Sequence, residues 1–235
     1  MTMKKNISIQ TGKGPFWLNR LEQRMPDAIR KLEIYILLRL TAKACRQKAP
    51  SIRGMTGRES LAIYQTFTAE ILAGPDTAEL RACRRAMYQK AWRTGRMLAL
   101  LPGLRQDAAK KRLIRLLYRN IGIILEDQSL SSPGTNSRSR LRGVKLSGPD
   151  YEKQADQEVW NIHIPRCSFS RCYTPRTCYV MSGFDAGIIC GIFGGGSLRF
   201  SRRITEGHPS CKAAYTYPRQ PGLKIPESDM QEVMK

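Results

Sequence analysis

The sequence predicts an α/β fold in which N-terminal helices pack on a C-terminal helix and a small antiparallel sheet. From about residue 28 to residue 127, apolar residues recur every three or four positions, as on one buried face of a helix. After residue 150 they alternate with polar residues, as in strands with one buried face. The stretch 128–150 between these regions is rich in Ser, Gly and Arg and is typical of a flexible linker or a long loop.

The region before this linker is predicted to form three or four helices, which are separated by Pro and Gly. Asp76 or Thr77 is suited to cap the third of four helical segments, and Asp107 opens the fourth, which is predicted to be helical as far as Asp127. The segments are AIRKLEIYILLRLTAKACRQ, ESLAIYQTFTAEILAG, AELRACRRAMYQKAWRTGRMLALL and AAKKRLIRLLYRNIGIILED.

Alternating segments predict strands in the second region. VWNIHIPRCSF reads as a strand that Pro165 ends, because proline cannot donate to a sheet. SLRFSRRIT and SCKAAYTYP alternate in the same way, and the short connection EGHPS predicts that they form a hairpin. The alternation also predicts that Arg199 and Arg203 share one face of their strand, with Arg202 on the other.

Glycines at helical spacing precede this hairpin. Gly183, Gly187, Gly191 and Gly194 would form a smooth helix face, which lets the backbone approach a sheet or a ligand closely. Gly194 to Gly196 are then expected to end the helix. The run does not match the Gly-x4-Gly-Lys-Ser/Thr order of a phosphate-binding loop.

The composition predicts anionic partners. With 40 Lys+Arg against 19 Asp+Glu, the formal net charge is +21. Such a charge attracts nucleic acid, an anionic membrane surface or a small anionic substrate. The arginines of the third helical segment and of the linker favour either a phosphate-binding face or a solvated surface. The longest apolar runs, IYILL and IGIIL, are too short to span a bilayer.

The seven cysteines and the lack of a recognisable secretory signal predict free thiols in a reducing cytoplasm. The spacing Cys167-x4-Cys172-x5-Cys178 differs from the Cys-x2-Cys pair of zinc knuckles. Cys178 and Cys211 are able to meet if helix and hairpin fold together, and they would then supply half of a zinc site.

One set of residues resembles the C-terminal signature of the 4-vinyl reductase domain superfamily: Cys178, Gly183-Phe184, Gly187, Gly194 and Gly207-x3-Cys211. Sensor domains of this superfamily hold zinc near a small-molecule pocket, and Cys178 and Cys211 match two of the ligands. The positions of the other two ligands fall near Phe200 and Arg203, which cannot bind zinc. The resemblance therefore implies a ligand pocket and an incomplete metal site.

Over roughly residues 60–217 the chain is similar to a related branch, the L-2-amino-thiazoline-4-carboxylic acid hydrolase-like family. Arg166-Cys167 matches an Arg-Cys pair that ends a strand. Asp185 matches the acidic residue of a Cys-x-x-Asp motif, whose cysteine is Ser182 here. This resemblance implies hydrolytic opening of a small heterocyclic amidine or thiazoline that carries a carboxylate.

The ring opening needs an acid or base and a nucleophile. Asp185 lies among apolar residues and glycines, which favours a raised pKa and acid–base catalysis, although pairing with an arginine is the simpler role. Cys167 is the candidate nucleophile, with Arg166 and His163 favouring its thiolate, although buried cysteines are commonly inert. The predicted substrate-binding residues are Arg166, Arg199, Arg203, Ser182 and His208.

The predicted organisation is a helical part at 1–127, a linker at 128–150, an α/β part at 151–217 that encloses the ligand pocket, and a tail at 218–235. The favoured function is the hydrolase, without a required cofactor and with zinc at Cys178 and Cys211 as the one metal to consider. The alternatives are a non-catalytic binding or carrier domain for a small anionic molecule and a basic nucleic-acid-associated protein. We also expect a cytoplasmic location and no membrane span. The sequence is compatible with a homo-oligomer.

Overall fold

A computed structural model describes Leu18 and residues 27–128 and 157–218 of the chain. Within these residues five α-helices accompany one four-stranded antiparallel sheet, so the predicted α/β fold class is confirmed. The predicted linker at 128–150 and the tail at 218–235 lie outside the described residues, except for Gln128 and Pro218.

The elements follow one another as four helices, two strands, a helix and two strands. The helices are α1 (Asp27–Ala44), α2 (Gly57–Ile71), α3 (Thr77–Leu98), α4 (Asp107–Asn120) and α5 (Pro175–Phe193). The strands are β1 (Ile123–Asp127), β2 (Gln157–Cys167), β3 (Ser197–Arg202) and β4 (Cys211–Pro218), in the sheet order β1-β2-β4-β3. Short 3₁₀ segments occupy Ser168–Arg171 and Ile204–Glu206.

Local sequence signals set several helix ends. The side chain of Asp76 accepts a hydrogen bond from the backbone N–H of Glu79 at 2.8 Å, which confirms the predicted cap of α3. At the start of α5, Thr174 caps the helix. Gly194 ends α5 as predicted, because its φ of 87° lies in the left-handed region that glycine adopts without strain.

The prediction that the fourth helix reaches Asp127 is wrong. Helix α4 ends at Asn120, Gly122 adopts a φ of 81°, and residues 123–127 form β1. The side chains of Ile123 and Leu125 are buried, whereas Ile124 between them is exposed, which is the period of a strand.

Two β-bulges change the predicted strands. Between Ile124 and Glu126 the register of β1 on β2 shifts by one residue, so that Ile164 and Pro165 of β2 lie opposite Leu125 alone, and β2 continues past this proline to Cys167. A second shift between Phe200 and Arg202 breaks the alternation of β3. The expected shared strand face of Arg199 and Arg203 is wrong, because β3 ends at Arg202 and the half-buried Arg203 lies outside it, whereas Arg199 is exposed within it.

The glycine face of α5 packs on helix α3 rather than on the sheet. A Cβ atom added to Gly187 would lie 2.4 Å from the carbonyl oxygen of Tyr88, and one added to Gly191 would lie 2.3 Å from that of Trp92. The two helix backbones thus approach so closely that only glycine fits. The opposite side of α5 faces the sheet, where the ring of Phe193 lies 4.6 Å from that of Tyr217.

The expectation that all cysteines are free thiols is wrong for two of them. Cys45 and Cys83 form a disulfide between the end of α1 and α3. The free cysteines among the described residues are Cys167, Cys172, Cys178, Cys190 and Cys211. None of the helices in the described ranges combines the length and the apolar character needed to cross a membrane.

Candidate functional site

An apolar pocket of about 290 Å³ lies among the helices and is lined by residues of all five helices together with residues near the start of β1 and the end of β2. Most of its lining side chains are Ile, Leu, Met and Phe. Leu32 and Ile36 of α1 line it and are 58% and 41% exposed, so this helix forms a solvent-facing rim. The position and size of the pocket suit a small molecule.

Asp185 on α5 is a carboxyl group in the wall of this pocket. The hydroxyl of Tyr118 donates a hydrogen bond to its Oδ1 at 2.7 Å. Burial raises the pKa of Asp185 to about 6, although the bond from Tyr118 and the charge of Arg203 both lower it. The side chain is therefore mostly ionised at neutral pH and becomes protonated in mildly acidic solution.

Glu33 on α1 is a second carboxyl group in the pocket wall. Burial raises its pKa to about 7, while a hydrogen bond from the buried Asn120 and the charge of Arg30 lower it. Arg30 also donates to Asn120 at 3.4 Å, so the two side chains hold the carboxyl in place. The sequence reasoning missed Glu33, although its position four residues after Ile29 and three before Ile36 places it inside the apolar stripe.

The charge of the pocket wall restricts which molecules it suits. Among the described residues that line the pocket are Glu33 and Asp185 but no lysine or arginine. An anionic ligand group would lie beside two carboxyls with no lysine or arginine of the described lining to pair with it, whereas a cation or a hydrogen-bond donor would stabilise them. A carboxylate-bearing partner stays a prediction that this pocket does not support.

The predicted nucleophile Cys167 lines the pocket, but its chemistry differs from the expectation. Burial raises the pKa of Cys167 to about 12, so its thiol is protonated at neutral pH. His163 does not support it: the two residues are four positions apart on β2, about 13 Å along a strand. The Nδ1 atom of His163 instead lies 3.0 Å from Glu126 of β1.

The five predicted substrate-binding residues are distributed outside the pocket lining. Arg166 is exposed near the end of β2, and Arg199 is exposed in the middle of β3. Ser182 is buried on α5 and donates to the carbonyl of Tyr179 at 2.6 Å. His208 lies in the turn before β4, where its backbone N–H donates to the carbonyl of Arg203 at 3.3 Å. Their roles in binding stay predictions.

Cys178 and Cys211 lie close to each other and to Arg203, whose guanidinium is not a zinc ligand. Its guanidinium lies 3.1 Å from Glu206 and stacks over Phe200, and its positive charge acts on both thiols. Burial raises the pKa of Cys178 and Cys211, and the charge of Arg203 lowers it. No group of three or more Cys, His, Asp or Glu residues in the described parts of the chain is arranged to hold a metal ion.

Comparison with known proteins gives one structural likeness. No protein-family model matches the sequence, and no curated protein matches it. The fold is similar to the crystal structure of the phenol-responsive sensory domain of the transcription activator PoxR with phenol, with a TM-score of 0.44 and 13% sequence identity. The match covers 74% of this chain and 80% of that chain.

Proposed function

We propose that the protein binds a small, largely apolar molecule that presents a cationic or hydrogen-bond-donating group to Asp185. The observation that carries this proposal is the carboxyl of Asp185, held by Tyr118 at 2.7 Å in a wall that is mostly apolar. Burial makes the ionised form of Asp185 unfavourable, as its raised pKa indicates. A bound cation or donor relieves this cost, and the apolar body of the ligand gains by leaving water.

The dimensions of the pocket indicate how large this molecule is. A volume of about 290 Å³ lies at the lower end of the range for small-molecule sites. One substituted ring fits this space together with its polar group. The exposed rim at Leu32 and Ile36 gives such a ligand an apolar path from solvent.

The proposal is tested with four probes that share one ring and differ in charge: benzamidine, phenol, toluene and benzoate. Calorimetric titration at pH 7.5 should give the tightest binding for benzamidine and the weakest for benzoate. Asp185→Asn should weaken benzamidine binding by about ten-fold, or about 1.4 kcal/mol, and leave toluene unchanged. Glu70→Gln is the matched control, because it removes one exposed carboxyl outside the pocket lining.

Two outcomes would contradict the binding proposal. One is benzoate binding at least as tightly as benzamidine, which would require a cation in the site. The other is the same loss of benzamidine affinity in Asp185→Asn and Glu70→Gln, which would indicate a general charge effect. Thermal melts of both variants show whether the fold survives.

We also propose, as a finer function, that the chain belongs to the L-2-amino-thiazoline-4-carboxylic acid hydrolase-like family and opens a cyclic amidine or thiazoline. The pKa of Asp185, about 6, supports this role because it allows both proton uptake and proton release near neutral pH. Water would add to the amidine carbon and give a proton to the Asp185 carboxylate. The ring C–S or C–N bond would then break, and the leaving atom would take that proton.

Turnover of 2-aminothiazoline and of its 4-carboxylate, followed by chromatography, tests this finer function. Because the pocket wall offers carboxyls and no lysine or arginine among its described residues, the substrate without a carboxylate should bind at least as well. Asp185→Asn should abolish turnover. Tight binding of both compounds without turnover would reject the hydrolase and leave the non-catalytic binding function in place.

A further inference from the structure

We propose that a second site, a basic groove on the other side of Cys167, binds a small molecule through a phosphate group. The groove has a volume of about 790 Å³ and lies between the start of α2, the end of β2 and the following 3₁₀ segment. Three arginines line it, Arg58, Arg166 and Arg171. It shares only Cys167 with the apolar pocket, so this proposal does not depend on the proposed function.

The charge of the groove is not neutralised by the described protein. All three arginines are exposed, and the described residues that line the groove include no Asp or Glu. No ion pair or hydrogen bond joins any of the three guanidinium groups to another described residue. Elsewhere, Arg115 pairs with Asp127 and Arg203 with Glu206. A cluster of like charges without counter-ions concentrates anions from solution.

The wall that carries these arginines is fixed by hydrogen bonds. The hydroxyl of Ser168 donates to the carbonyl of Ile121 at 2.7 Å, and that of Ser170 donates to the carbonyl of Cys167 at 2.8 Å. The amide of Gln65 on α2 donates to the carbonyl of Ser168 at 3.2 Å. The polar groups of the wall are therefore engaged in holding the segment after β2. Recognition of a ligand is left to the guanidinium groups that this segment and α2 present.

The number and type of these donors favour phosphate over a single carboxylate. A guanidinium presents two parallel N–H donors to two oxygens of an anion, and phosphate groups offer more oxygens and more charge than a carboxylate does. Arginines from α2, from β2 and from the 3₁₀ segment approach from different elements, as a polyvalent anion requires. The remaining space accepts an organic body attached to the phosphate.

Titration calorimetry of the full chain with ADP, adenosine and inorganic pyrophosphate tests the groove. ADP and pyrophosphate should bind in 150 mM salt, and adenosine should not. The triple variant Arg58→Gln/Arg166→Gln/Arg171→Gln should bind ADP at least about ten-fold more weakly. The control Arg81→Gln/Arg85→Gln/Arg93→Gln removes the same charge from exposed positions on α3 and should keep the affinity within about two-fold.

Further variants and ligands distinguish recognition by the three arginines from an effect of net charge and from nucleic-acid binding. Arg166→Lys keeps the charge but loses the paired donors, so it should weaken ADP binding, whereas Asp185→Asn in the apolar pocket should leave it unchanged. Equal losses in the two triple variants would overturn the proposal, since net charge alone would then explain binding. Binding of a thymidine oligonucleotide without binding of ADP or pyrophosphate would also overturn it and would favour a nucleic-acid surface. Absence of any binding by ADP and pyrophosphate would overturn it outright.

Discussion

The hydroxyl of Tyr118 on α4 lies 2.7 Å from Oδ1 of Asp185 on α5, and this hydrogen bond joins two helices at the pocket wall. Two opposing effects act on the carboxyl. Burial favours the protonated form, whereas the bond from Tyr118 and the charge of Arg203 favour the ionised form, with a net pKa of about 6. A small change in the pocket wall should therefore shift the pKa of Asp185 and change whether this carboxyl is ionised near neutral pH.

Tyr118→Phe should raise the pKa of Asp185, because it removes a donor that stabilises the carboxylate while the ring continues to fill its space. The measurement is benzamidine affinity between pH 5 and pH 8. In the wild type the affinity should rise with pH through about 6, and in the variant the midpoint should lie higher. An unchanged midpoint would show that the bond does not control the charge of Asp185.

Glu33→Gln should reduce the pH dependence of stability. The folded pKa of Glu33 is about 7, above its ordinary 4.5, so the folded state holds this proton more tightly than the unfolded state does. Stability from this group is present below pH 4.5 and is lost as the pH rises to about 7. Relative to the variant, the wild type should lose on the order of 1 to 3 kcal/mol between pH 4.5 and pH 7.5 in urea unfolding. Parallel pH profiles for the two proteins would contradict the buried setting of Glu33.

Gly187→Ala should destabilise the fold by about 1 to 3 kcal/mol, because the new methyl group meets the backbone of α3. The nearest atom would be the carbonyl oxygen of Tyr88 at 2.4 Å, and a backbone atom cannot rotate away. Gly74→Ala is the comparison, since a Cβ at Gly74 has nothing within 4 Å. Chemical unfolding of both variants measures the difference. Equal stabilities would show that α3 and α5 are not in such close contact.

Cys167 should react slowly with iodoacetamide at pH 7.5, and Cys172 should react first. Burial raises the pKa of both thiols, but Cys172 is exposed and Cys167 is raised to about 12. Peptide mass spectrometry after timed labelling of the native protein gives both rates. Fast alkylation of Cys167 would restore the case for a thiolate nucleophile in the pocket.

The sequence allowed the fold class, the hairpin and the position of Asp185 on a glycine-containing helix to be predicted, because local periodicity encodes them. The pairing of β1 with β2 could not be predicted from local periodicity. Its two strands are separated by the residues between Asp127 and Gln157, and IGIIL suits a helix as well as a strand. Residues 123–127 form a strand because they pair with β2, which is distant in the sequence.

The pocket was harder to predict from the sequence than the fold. Glu33 comes from α1 and Asp185 from α5, and only the packing of distant helices brings them to one wall. The bulge between Phe200 and Arg202 and the end of β3 at Arg202 leave Arg203 outside the strand, which no alternation rule anticipates. Ser182, which matches a family motif position, and Arg199, predicted to hold a carboxylate, both lie outside this pocket.

The most direct test of the binding proposal is a crystal structure of the protein soaked or grown with benzamidine. We expect density for the ring in the apolar pocket, with the amidinium within hydrogen-bonding distance of the Asp185 carboxyl and the Tyr118 bond retained. An empty pocket at saturating benzamidine, or a ring in the pocket whose amidinium points away from Asp185, would contradict the account.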